Sequence, residues 1–183
     1  KELFIPEQNH GCASLIINES FFKESLEMRR LLLRGMDALI TNVPGYCVCV
    51  TTADCVPVLL YDKKQHVVAA VHAGWKGTVK HIVSHVMDHL NQKFGTQGED
   101  VIACIGPSIS LESFEVGDEV YDAFKESGFD MSLISMKKKE TGKYHIDLWE
   151  ANRIELLNAG VPAEQIEVAG ICTYIHHDEF FSA

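Results

Sequence analysis

No stretch of this sequence stays apolar for the roughly 20 residues that a bilayer crossing requires, so a membrane-spanning helix is not expected. Basic residues are scarce: 16 lysines and arginines face 26 aspartates and glutamates, a formal net charge of −10. Such a balance repels phosphate backbones and anionic membrane surfaces, and no local basic patch relieves it, so neither nucleic acid nor membrane is an expected partner. The six cysteines (Cys12, Cys47, Cys49, Cys55, Cys104 and Cys172) lack the spacing of a disulfide framework, which a chain of this size does not need. Cys47, Cys49 and Cys104 lie inside apolar, strand-like runs and read as buried small hydrophobes. Free thiols of this kind fit a reducing, cytoplasmic setting. Linkers, internal repeats and low-complexity segments are also missing, so residues 1–183 read as a single domain. Lys1 is not an initiator methionine and Phe181-Ser182-Ala183 stops in mid-pattern, so both ends read as trimmed.

Several catalytic signatures are absent too. Without G-x-x-x-x-G-K-[ST] there is no support for nucleoside triphosphate hydrolysis. H-E-x-x-H and the H-x-E…P-C-x-x-C pattern of base deaminases do not occur. No H-x-H pair supports a multinuclear copper oxidase. What remains is ordinary for a soluble globular protein, with 46% hydrophobic and 23% charged residues, and its expected partner is a small molecule.

Strand and helix signals alternate, which predicts an α/β (α+β) fold of mixed sheets with flanking helices. Tyr46–Thr51, Val56–Tyr61, His66–Val71, Val101–Ile105 and Ile166–Thr173 read as strands. Pro57 puts its strand at an edge or in its first turn of pairing, and Asp62-Lys63-Lys64-Gln65 reads as a hairpin turn. Val79, Ile82, Val83, Val86, Met87, Leu90 and Phe94 recur at three and four, predicting one helix over Thr78–Phe94 closed by Gly95. Gly117–Ser127 reads as a helix stopped by Gly128. Asp147 and Glu150 form a capping-box pattern for a helix ending at Gly160.

Two motifs could carry chemistry, Thr52-Ala53-Asp54-Cys55 and Val71-His72-Ala73-Gly74-Trp75-Lys76-Gly77. Each puts a soft, metal-competent side chain where a strand-like run stops. A third candidate, His10, sits in the polar segment Glu7-Gln8-Asn9-His10-Gly11. Zinc takes thiolate and imidazole, and catalytic zinc sites commonly keep three protein ligands and one open position. Gly74 and Gly77 permit close backbone approach, and the helix start beside Lys76 suits an anion such as phosphate. Residue types alone leave plainer readings open: Cys55 as a structural thiol, His72 and His10 as hydrogen-bonded or surface residues, Asp54 as a turn cap, Trp75 as core, Lys76 as solvated. His81, His85 and His89 read as a solvated helical stripe, and adjacent His176 and His177 make a poor chelate. Cys47-x-Cys49 faces one side of a strand without a second pair.

Taken in order, Glu7–Gly11, Asp37–Thr41, Thr52–Pro57, His72–Gly77, Ile105–Ile109, Phe114–Gly117 and Cys172-Thr173 resemble the YfiH-like family across essentially the whole chain. Its members are also called laccase-domain proteins, polyphenol oxidases, purine nucleoside phosphorylases or peptidoglycan editing factors. The resemblance implies a YfiH-like fold similar to the cytotoxic necrotizing factor catalytic domain, with zinc held by His10, Cys55 and His72. It implies phosphorolysis of adenosine, inosine and methylthioadenosine, with adenosine deamination as a side activity. Lys76 stands where the family usually has arginine, and the family's arginine-bearing flanking segments do not occur here. On this reading Cys55, His72 and Asp54 are catalytic, with Asp54 handling a proton or orienting a ligand, and Gln8, Trp75 and Lys76 bind substrate. The alternatives are a cysteine-dependent amidase, with Cys55 as nucleophile and His72 as base, and a non-catalytic zinc-stabilised binding module with four protein ligands.

Overall fold

A computed structural model of the chain describes residues 2–183. Strands β1 (Glu2–Phe4) and β2 (Ser14–Ile16) precede two short helices, α1 (Glu19–Lys23) and α2 (Leu26–Leu32). Four strands follow, β3 (Ala38–Thr41), β4 (Tyr46–Val48), β5 (Val56–Asp62) and β6 (Val67–Ala73), then α3 (Trp75–Val79), α4 (Ile82–Phe94) and β7 (Val101–Ile105). The rest comprises β8 (Glu115–Val116), α5 (Asp118–Glu126), α6 (Met131–Ile134), β9 (Ser135–Lys137), β10 (Tyr144–Ile146), α7 (Leu148–Asn158) and β11 (Ile166–Val168). Among the described residues, no helix is long and apolar enough to cross a membrane.

Six strands form one mixed sheet in the order β11-β7-β5-β6-β3-β2. Its outer pairs, β11–β7 and β2–β3, are parallel, while the inner pairs are antiparallel. The central β5–β6 hairpin turns where Asp62 Oδ1 accepts the N–H groups of Lys64 and Gln65. Its register pairs Val56 with Ala73 and Pro57 with His72, so the start of β5 lies beside the end of β6. Pro57 is therefore at the rim of a central strand, not on an edge strand. Its missing donor is tolerated because the β7 ladder begins one residue later, at Val58 opposite Ile105.

One sheet face packs Val58, Leu60, Val71 and Ile105 into a core with Ile82, Val83, Val86 and Leu90 of α4 and Leu156 of α7. The other face is partly covered by a smaller cluster of Phe4, Ile17, Phe21, Leu39, Val48 and Ala70. Beyond that cluster Leu59, Tyr61, Val68 and Ile102 stay exposed. Here the expectation for the thiols is corrected: Cys47 and Cys104 are exposed and Cys49 is half-buried. The reason is strand periodicity, because Cys104 alternates with buried Ala103 and Ile105 and so shares the open face with Ile102.

The chain also departs from its apolar period at His81. Instead of one helix over Thr78–Phe94, α3 begins at Trp75 and ends at Val79, and His81 takes a left-handed conformation (φ 58°) before α4. The His81 ring is fixed on both sides, Nδ1 against Glu155 Oε1 at 2.5 Å and Nε2 against the Ser127 carbonyl at 3.0 Å. Those contacts offset the cost of roughly 1–2 kcal/mol for a left-handed residue. His89 Nδ1 meets Ser14 Oγ at 2.8 Å, so only His85 of the three-histidine stripe is exposed. β4 stops at Val48 rather than Thr51, and β11 at Val168 rather than Thr173, where Gly170 (φ 65°) turns the chain. Asp147 caps α7 by accepting the Glu150 N–H, but its own N–H donates to Ile134, so the capping box is half formed.

Because α4 backs β6, the strand that carries His72, truncating its core contact separates stability from site assembly. Leu90→Ala should lower unfolding free energy by roughly 2–5 kcal/mol in denaturant titration. The folded fraction should keep the metal stoichiometry of the parent chain.

Candidate metal centre

Cys55 immediately precedes β5 and His72 is the penultimate residue of β6, so the antiparallel hairpin sets both on one rim. His10 reaches the same rim from the loop between β1 and β2. The ligand-capable atoms of His10, Cys55 and His72 all lie within 4.8 Å of one another. His72 is buried, Cys55 half-buried and His10 exposed, so the cluster opens towards solvent through His10. The His10 and His72 rings meet edge to face with centroids 4.9 Å apart. Among the described residues, this is the one group of three or more His, Cys, Asp or Glu side chains close enough to share an ion. One sulfur and two imidazoles are the donors that zinc and other borderline-soft ions take, and three protein ligands is the count of an open, catalytic site.

A residue given no role from sequence organises this cluster. Asp37, fully buried immediately before β3, accepts from His72 Nδ1 at 2.8 Å. It also accepts the backbone N–H groups of His10 (3.0 Å), Gly11 (2.7 Å) and Asn9 (3.4 Å). The first contact leaves His72 Nε2 as the free ring nitrogen, a common arrangement for metal-bound histidine. The others stabilise the left-handed conformation of His10 (φ 60°), which aims its ring at the rim. The signal in the sequence is the aspartate directly before the apolar run Ala38-Leu39-Ile40, a position where a buried charge needs a structural reason.

Close approach explains Gly74. A Cβ there would stand 2.8 Å from Cys55 Sγ and 3.3 Å from His10 Cδ2, inside contact distance of two of the three donors. At Gly77 a Cβ would meet the Gly11 carbonyl at 2.9 Å, so this glycine admits the His10 loop against α3. Burial pushes the Cys55 thiol up to about 11, with the negative charges of Asp54 and Asp37 adding to it. Burial lowers His72 despite the opposing Asp37 contact, which keeps the imidazole neutral. A protonated thiol is a poor nucleophile, so the site is not preset for cysteine hydrolase chemistry.

The remaining sequence candidates sit around this rim. Asp54, itself left-handed (φ 74°), accepts at Oδ1 from Thr173 Oγ1 and at Oδ2 from Ser182 Oγ and the Ala183 N–H. It thereby ties the last described residues to the motif that carries Cys55. Both ends of the Gln8 amide are engaged by Thr51, through its N–H and its carbonyl, each at 2.8 Å. Trp75 is half-buried against the core, with Lys76 Nζ 5.5 Å from its ring centroid. Cys172, buried behind the Ser108–Ser113 loop, accepts from the Ser110 N–H at 3.4 Å.

Gly74→Ala should fold yet lose metal, because its Cβ displaces Cys55 and His10 together. Asp37→Ala should weaken metal affinity by roughly 10–100-fold. Metal content after dialysis, read by elemental analysis, checks both; parent-like content in either variant would contradict the geometry.

A family described as multi-copper polyphenol oxidoreductase laccase matches residues 1–183. A Bacteroides thetaiotaomicron protein named purine nucleoside phosphorylase is 61% identical over the whole chain, which spans 68% of that relative. A protein named adenosine deaminase RL5, from an unknown prokaryotic organism, is 42% identical over 182 residues, which make up 69% of it. Among solved structures, the Bacillus licheniformis hypothetical protein YfiH superposes with a TM-score of 0.87 at 30% identity, covering 98% of this chain and 67% of that one. YlmD from Geobacillus stearothermophilus gives a TM-score of 0.86, also at 30% identity, with the same coverage of each chain. With the match running the full length of the sequence and the fold agreeing with YfiH and YlmD, the chain belongs to the YfiH-like, laccase-domain family.

Proposed function

We propose that this protein is a zinc-dependent purine nucleoside phosphorylase that splits adenosine, inosine and methylthioadenosine into purine base and ribose 1-phosphate. Adenosine deamination is its side activity. The observation that carries the proposal is the convergence of His10, Cys55 and His72 within 4.8 Å, in a chain 61% identical to a protein named purine nucleoside phosphorylase.

Zinc bound there supplies Lewis acidity to an oxygen of phosphate, ribose or water. The chain's own residues do the rest. Asp37 keeps His72 in the tautomer that presents Nε2, and Gly74 keeps the rim clear for Cys55 and His10. Lys76, exposed beside the half-buried Trp75, supplies positive charge for phosphate, and the indole edge supplies an apolar surface for the purine. Lys76 acts as a point charge without the bidentate fork of arginine. Asp54 holds or relays a proton while Thr173 and Ser182 fix its carboxylate. Gln8 frames the substrate side by pinning Thr51 ahead of Asp54. The relative named adenosine deaminase favours the second reaction, in which water replaces the amine of adenosine and inosine and ammonia leave.

The rival readings fit the site less well. An amidase needs a lowered Cys55 thiol, and burial raises it. A structural zinc module needs four ligands, and the cluster has three. A multi-copper oxidase needs several copper centres, and the described residues gather one such group. Six unpaired thiols fit a cytoplasmic location.

The test is metal analysis of the purified protein, coupled to adenosine turnover with and without phosphate. Adenine and ribose 1-phosphate should appear only with phosphate, alongside a slower, phosphate-independent yield of inosine. Cys55→Ala should lose zinc and at least a thousandfold in turnover together, since a Lewis acid contributes several kcal/mol, at about 1.4 kcal/mol per tenfold. Adenine release without phosphate, or full turnover by a metal-free variant, would overturn the proposal.

A further inference from the structure

Cys47 and Cys49 lie outside the site described above. Their Sγ atoms are 3.9 Å apart, Cys47 exposed and Cys49 half-buried. They flank Val48, the last residue of β4, so their side chains emerge on one side of an extended segment. Buried Val48 is in register with Phe4 of the parallel strand β1, and the Cys49 N–H donates to the Phe4 carbonyl at 2.9 Å. The backbone beneath the two thiols is thus held extended by its pairing with β1. At a rise of about 3.3 Å per residue, their Cα atoms stand about 6.6 Å apart, near the upper limit of about 6.8 Å for a disulfide. That spacing sits at the edge of disulfide geometry, whereas a single atom bridging two sulfurs 3.9 Å apart fits the backbone as it stands.

We propose that Cys47 and Cys49 form a two-sulfur site for one soft, thiophilic ion, of the monovalent copper or trivalent arsenic class, distinct from the His10–Cys55–His72 centre. Softness follows from the donors, since paired thiolates select such ions over magnesium, calcium or manganese. The low coordination number follows from the surroundings: among the described residues, no third His, Cys, Asp or Glu forms a ligand group with this pair. A tetrahedral zinc site, which needs four ligands, is therefore disfavoured here. Cys47 opens onto a mostly apolar groove that it lines with Tyr46, Leu59, Tyr61, Ile102 and Cys104, a surface that contributes no carboxylate or imidazole.

Phenylarsine oxide on the full chain is the direct probe. Two thiols and one arsenoxide condense to a dithioarsinite, with both thiol protons leaving in one water molecule. The arsenic stays trivalent, so no oxidant or reductant is required. Mass spectrometry should find one adduct per chain. Cys47→Ser and Cys49→Ser should each weaken binding by roughly 10²–10⁴, because the second sulfur acts as an intramolecular ligand. Serine variants at Cys12, Cys55 and Cys104 should bind as the parent does. Cys47→Ser, at an exposed position, should also keep the parent's Tm and its metal content at the other centre. Parent-like affinity in Cys47→Ser, loss of the adduct in a Cys12, Cys55 or Cys104 variant, or no stoichiometric adduct on the parent chain would each overturn the assignment.

Discussion

The site depends on a buried carboxylate. An unpaired charge in the interior costs several kcal/mol, and the cost is offset only where hydrogen bonds replace the lost water. Asp37 has such partners in the imidazole of His72 and the backbone of Asn9, His10 and Gly11. Its own carbonyl also accepts the His72 N–H at 2.7 Å. Two of the three metal-competent side chains therefore take their position from the one residue that immediately precedes β3. The third, Cys55, takes its position from the hairpin that places the start of β5 opposite the end of β6.

This division of labour explains why the cluster tolerates so little bulk around it. Gly74 and Gly77 sit where the strand rim, the His10 loop and α3 crowd together, and a single methyl group at either would meet an atom inside contact distance. The same crowding buries Cys55 enough to keep its thiol protonated until a cation displaces the proton. A site built this way favours a metal ion over a free nucleophile, and its three donors leave a position for substrate. The laccase wording attached to the family and the phosphorylase and deaminase names of its relatives describe different chemistries. A single three-donor cluster accords with the second set.

Much of this was legible in the residues. The α4 period from Ile82, the Gly95 stop, the Asp62 turn and the apolar strands β5, β6 and β7 all follow from local pattern. Ending a strand run at His72, and opening one after Cys55, pointed to a shared rim. What local pattern missed was tertiary in origin. The break at His81 is set by Glu155 and Ser127, each more than forty residues away. The open face around Cys47 and Cys104 depends on which strand face receives a cover, which no window of sequence reports. Pro57 read as an edge signal because proline lacks a donor, whereas a rim position in a central strand meets the same constraint. Asp37 carried no catalytic motif, and its role emerges only when β3 and β6 pair.

X-ray absorption at the metal edge of the as-purified protein reads the donor set of the His10–Cys55–His72 cluster itself. A zinc edge is expected, with a first shell of one sulfur at about 2.3 Å and two imidazole nitrogens at about 2.0–2.1 Å, plus one light exchangeable ligand. A shell of oxygens alone, or one with two or more sulfurs at full occupancy, would contradict it.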